Sequence, residues 1–130
     1  MSAARLSALA VLAGGAAGAL ARAGVAEAIP QGPGEWPWAT FAVNLAGVVV
    51  LAWLTTRLSG LGGSARYGRL LVGTGFCGAL TTFSALQVET ITLAQDGHAG
   101  LGLGYASASL AAGMALAVAV TVIVRRRRAR

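Results

Sequence analysis

The chain has 130 residues, of which 56% are hydrophobic and only 11% charged; a soluble domain carries about 25% charged side chains, so too few are present to build a water-facing surface. The single cysteine, Cys77, excludes an intrachain disulfide framework. The net charge of +6 invites a nucleic-acid reading, but five of the ten arginines (Arg125 to Arg128 and Arg130) directly follow the apolar run Met114 to Val124, which is the usual cytoplasmic flank of a membrane helix rather than a nucleic-acid surface.

A bilayer-spanning helix needs about 20 mostly apolar residues. Four stretches qualify, and together they predict a single all-α integral membrane domain over residues 1–130, with spans at 6–26, 38–56, 70–94 and 101–124. The first span holds one charge, Arg22. Arg5, the apolar run and Ala21-Arg22-Ala23 also resemble a secretory signal peptide, a reading that three further spans weaken. Gly14 and Gly18 form a small-xxx-small pair suited to close helix packing. Pro30 to Glu35 then carries turn signals. The second span places Thr40, Asn44 and Gly47 on one helical face. An intramembrane asparagine is often only helix–helix glue.

The third span follows the breaker run Ser59 to Ser64, and its one charge is Glu89. Gly73, Gly75 and Gly78 spell the dinucleotide fingerprint, but that fingerprint needs a preceding strand, and here it lies in a membrane-length apolar segment. Thr81, Thr82 and Ser84 follow this glycine-rich run. Glycines and hydroxyls together favour a helix break, which is tolerated at membrane depth where it is buried in protein or lines a watery cavity. A plain kink, with the hydroxyls bonded back one turn, is the competing reading. After the turn Asp96 to Gly100, with His98 as a solvated loop residue, the fourth span places Tyr105 and Ser109 one turn apart. Gly100 and Gly104 form a second small-residue pair.

Asn44, Thr82, Ser84, Tyr105 and Ser109 offer hydrogen-bond donors without a fixed charge. That suits an anion that must pass quickly, since conduction needs binding weak enough to release. An aromatic ring edge is electropositive and can face an anion, which gives Phe83 a use beyond apolar packing.

Four segments resemble the Fluc (CrcB) family of fluoride channels. Gly14 to Arg22 (GGAAGALAR) is similar to its GGxxGAxxR pattern, and Ala39 to Gly47 (ATFAVNLAG) to its GTLxxNxxG pattern. Gly78 to Ser84 (GALTTFS), with Glu89 beyond, resembles its GxxTTFSTFxxE signature. Tyr105 and Ser109 match its fourth-helix pair. The resemblance implies passive fluoride efflux conferring fluoride resistance, and an antiparallel, dual-topology dimer of four-helix subunits with two pores. It implies Asn44, Phe83, Thr82, Ser84, Tyr105 and Ser109 along the fluoride path. It also implies a structural sodium ion on the backbone carbonyls of Gly78 and Thr81, with Arg22 and Glu89 structural. Leu86 stands where the signature has its second phenylalanine. An alkyl group presents no electropositive edge, so either not every pore in the assembly conducts or a partner subunit supplies that ring.

Two other classes compete. A proton-coupled multidrug-type transporter needs a carboxylate at mid-helix, whereas Glu27 and Glu89 both lie toward span ends. A non-conducting assembly subunit would need only apolar spans and glycine packing. An enzyme is not expected, since no nucleophile–base set exists. Topology follows the arginine bias of short loops. Nine arginines flank the N-terminus, the middle loop and the C-terminus, against Arg22 alone elsewhere. Both termini are therefore expected in the cytoplasm, with a paralogous partner subunit of opposite orientation, the surface otherwise meeting membrane lipid.

Overall fold

Two long helices and a third that is interrupted pack with a fourth in the computed structural model, which describes residues 2–130. In order these are α1 (Ala3–Ala28), α2 (Trp38–Arg57), and a bent passage of α3 (Ser64–Gly68), a π-helical stretch Arg69–Cys77 and α4 (Gly78–Leu80). After a gap come α5 (Phe83–Gln95) and α6 (Ala99–Arg128). Four passages, Ala3–Ala28, Trp38–Arg57, Ala65–Gln95 and Ala99–Arg128, are long and apolar enough to cross a membrane. The predicted spans fall inside them. The third passage starts earlier, at Ala65, and α6 continues through Arg128 rather than stopping at Val124. Arginine is a good helix former, and a cation at a helix C-terminus meets the negative end of the dipole.

Long apolar side chains point outward, as they do when the surrounding solvent is hydrocarbon: Leu20 is 73% exposed and Met114 72%. Small residues make the contact between α1 and the third passage instead. Gly14 and Gly18 are the buried residues of α1. A Cβ at Gly14 would collide with the Leu71 carbonyl oxygen, and one at Gly18 with that of Phe76. On the facing strand of contacts, a Cβ at Gly75 would lie 2.6 Å from the Val11 carbonyl oxygen. So α1 lies backbone to backbone, and parallel, against the π-helical stretch, as the Gly14–Gly18 spacing suggests.

The second predicted pair differs. Space is open around Gly100 and Gly104, and it is Gly102 whose Cβ would meet the Thr90 carbonyl at 2.8 Å. Both sets lie on α6, but the face that meets α5 is set by how the 96–98 turn delivers the helix.

Alanine at Gly14 or Gly18 should lower stability in detergent by about 1–3 kcal/mol through overpacking. Alanine at Gly24, where a Cβ meets nothing within 4 Å, should be neutral or slightly stabilising. Thermal unfolding followed by size-exclusion chromatography distinguishes these results.

Candidate functional site

The third passage is broken at Thr81 and Thr82, where the backbone is extended (φ −81°, ψ 150° and φ −147°, ψ 121°). The break therefore falls after the glycine run rather than within it. Gly78 is helical, at φ −63° and ψ −31°, and Gly75 serves the contact with α1. The amide and hydroxyl of Thr81 both donate to the Cys77 carbonyl, at 3.0 and 2.9 Å. This is the back-bonding expected of a kink, and here it closes α4 just before the chain departs. Thr82 then caps α5, its Oγ1 accepting from the Ala85 amide at 3.1 Å.

Asn44, reaching across from α2, completes the junction. Its Nδ2 donates to the Thr82 carbonyl at 3.0 Å, and its Oδ1 accepts from the Thr82 amide at 2.8 Å. The side-chain amide acts as a neighbouring peptide group would, bonding donor and acceptor of one residue together. The four carbonyls from Gly78 to Thr81 lose their helical partners as a result. In an unbroken helix the Gly78 carbonyl accepts from the Thr82 amide and the Thr81 carbonyl from the Ala85 amide. Those amides are committed to Asn44 and to the Thr82 hydroxyl. Between them, the Ala79 carbonyl takes the Arg22 Nε at 3.1 Å. Among the described residues no three His, Cys, Asp or Glu side chains cluster. A hard cation here would rely on such backbone oxygens, and the freed carbonyls, Gly78 and Thr81 among them, fit that chemistry.

A groove of about 520 Å³ opens beside the break, and no charged side chain lines it among the described residues. Asn44, Gly78, Thr81, Thr82, Phe83 and Ser109 all contribute to its walls. The Ser109 hydroxyl is buried there without a hydrogen-bond partner. The Thr82 hydroxyl accepts from Ala85, so its own hydrogen is available, with Ser84 Oγ 3.2 Å away. Phe83 is 66% exposed, its ring on the open side, whereas Leu86 is buried in the wall.

One turn along both α2 and α6, the polar line continues. Thr40 Oγ1 donates to Glu89 Oε1 at 2.5 Å, and the Tyr105 hydroxyl donates to Glu89 Oε2 at 2.7 Å. Tyr105 is fully buried, its ring edge-on to Trp36 at 5.5 Å between centroids. The Trp36 indole N–H is buried without a partner.

Sequence spacing thus assembles Asn44, Thr82, Phe83 and Ser109 with Gly78 and Thr81 in one groove. Tyr105 lies beyond it, on Glu89, and Ser84 is exposed beside Thr82. Sequence reading passes over Trp36 and over the bond from Thr40 to Glu89. The placement of Thr40 one turn from Asn44 was the available signal.

Residues 9–121 match the family described as CrcB-like protein, Camphor Resistance (CrcB). A fluoride-specific ion channel FluC 1 of Mycolicibacterium paratuberculosis is 50% identical over 92 residues, which is 71% of this chain and 70% of that one. A protein of the same name from Mycobacterium bovis is 55% identical over 93 residues, again 71% and 70%. The fluoride-specific ion channel FluC of Chlorobaculum tepidum is 44% identical over 91 residues, 70% and 72% of the two chains.

Removing either hydroxyl that holds Glu89, by Tyr105→Phe or Thr40→Val, should cost about 1.5–3 kcal/mol, because each removes a hydrogen bond to a part-buried carboxylate. The double variant should depart from additivity by at least about 0.5 kcal/mol. Chemical unfolding in detergent measures both.

Proposed function

This chain belongs to the CrcB-like family, and we propose that it is a subunit of a fluoride-selective channel that lets cytoplasmic fluoride leave the cell passively. Members of that family are ion channels, which is not an enzyme class. The observation that carries the reading is the uncharged donor line beside the helix break: Thr82, Ser84 and Ser109. Hydroxyl donors replace part of an anion's hydration without the tight hold of a guanidinium. Phe83 adds a ring edge. A negative cell interior contributes about 2.3 kcal/mol per charge per 100 mV toward efflux.

The groove is open on the side of Phe83, so the subunit supplies part of a pore wall. An antiparallel second subunit completes it and brings a second pair of Gly78 and Thr81 carbonyls. Four such oxygens form a cage for a structural sodium ion, whose charge would fix the two broken helices against each other. The arginine bias supports one orientation, termini in the cytoplasm, and a paralogous partner inserted the other way. That partner also supplies the ring that Leu86 lacks. A proton-coupled transporter is not favoured, since the carboxylate of Glu89 is held by two hydroxyls toward the end of its span.

Liposomes containing the purified protein, alone and with a second family member, should release fluoride but not chloride. Asn44→Asp loses the donor to the Thr82 carbonyl, at a cost of about 1–3 kcal/mol. Efflux should then fall roughly tenfold to a hundredfold, and Phe83→Ile should also slow it. Unchanged efflux in both variants would refute the pore assignment.

A further inference from the structure

A second groove, of about 820 Å³, runs between α2 and α6, with Val49, Trp53 and Arg57 on one wall and Val120, Ile123 and Arg127 on the other. The volume is within the roughly 300–1,000 Å³ of ligand sites. Each wall is a helical stripe that begins apolar and ends in an arginine. The two helices run parallel here, since Arg128 Nη1 at the end of α6 donates to the Thr56 carbonyl near the end of α2 at 2.8 Å. On α2 this stripe faces away from Asn44, Gly47 and Leu51, so it is separate from the polar groove. From Val49 to Arg57 it is roughly 12 Å long, close to the ~15 Å of hydrocarbon in one leaflet.

Charge identifies the occupant. All four acidic residues, Glu27, Glu35, Glu89 and Asp96, lie toward the other end of the helices. Two arginines of the basic end are held by the chain itself. Arg69 donates to the Leu58 and Leu61 carbonyls at 2.8 and 3.0 Å, and Arg128 to Thr56 and Ser59. Arg57 and Arg127 are exposed and make no such bond among the described residues. They stand at the mouth of an apolar slot of leaflet depth. A guanidinium pair matches a phosphate geometrically, and it repels the ammonium that a zwitterionic headgroup carries.

We propose that this groove binds one anionic glycerophospholipid, with an acyl chain along Val49, Trp53, Val120 and Ile123 and the phosphate between Arg57 and Arg127. The site tethers α2 to α6 at the end remote from Glu89.

Trp53 is the reporter. The chain is reconstituted in vesicles where a small, equal fraction of either phosphatidylglycerol or phosphatidylcholine carries brominated acyl chains. The fluorescence quenching lost on Trp53→Phe is taken as the signal. Brominated phosphatidylglycerol should quench Trp53 preferentially. The preference should fall about fivefold for each arginine removed by Arg57→Gln and Arg127→Gln. Arg125→Gln with Arg126→Gln should retain it, and Val120→Trp, which fills the slot and keeps both charges, should reduce it. Equal quenching by both lipids, or an equal loss in the Arg125/Arg126 variant, would overturn the site in favour of diffuse surface attraction. A preference abolished by millimolar inorganic phosphate would assign the arginines to a free anion, and Trp53 shielded from both lipids would assign the groove to a second copy of the chain; either overturns the proposal.

Discussion

A helix interrupted at membrane depth leaves carbonyl and amide groups without partners, and in hydrocarbon each such group costs several kilocalories per mole unless something bonds it. The interruption here persists because one side chain bonds both polar groups of Thr82. Asn44 accepts from its amide and donates to its carbonyl, so the extended residue is satisfied as fully as it would be in a helix. Thr81 and Thr82 each use a hydroxyl to close the helix end on their own side. The amides withdrawn from the Gly78 and Thr81 carbonyls are held by Asn44 and by the Thr82 hydroxyl, and the new helix start places Thr82 and Phe83 in the groove wall.

The rest of the bundle holds that amide in register. Asn44 can reach Thr82 because α2 and the broken passage approach closely: a Cβ at Gly47 would collide with the Thr81 side chain. On the other side, α1 fixes the π-helical stretch through the glycine backbone contact. A π-helical turn carries an extra residue per turn relative to an α-helix and is often found beside functional sites. At the far end, Glu89 draws Thr40 of α2 and Tyr105 of α6 onto α5. Three helices thus converge on one carboxylate, one turn beyond the groove.

Much of this was legible in the sequence, and the limits have physical causes. The spans were legible because bilayer thickness imposes a length on apolar runs, and the membrane class because charge is so scarce. The broken helix was legible from Thr81, Thr82 and Ser84, since hydroxyl residues compete with backbone bonding. What separates a break from a plain kink there is the extended backbone of Thr81 and Thr82, which depends on Asn44 reaching across from α2. The partners of Asn44 and Glu89 lie 38, 49 and 16 residues away, and no local period reports a contact at such range. The packing role of Gly102, rather than Gly100 and Gly104, depends on which face α6 turns to α5. That is decided in three dimensions.

Asn44 holds the break open by bonding both backbone groups of Thr82. Residue-resolved hydrogen–deuterium exchange on the protein and on Asn44→Leu tests it most directly. The Thr82 amide should exchange slowly in the protein and speed up at least about tenfold in the variant, in proportion to a lost bond of more than about 1.4 kcal/mol, while amides around Gly14 and Gly18 stay unchanged. A Thr82 amide equally protected in both proteins would contradict it.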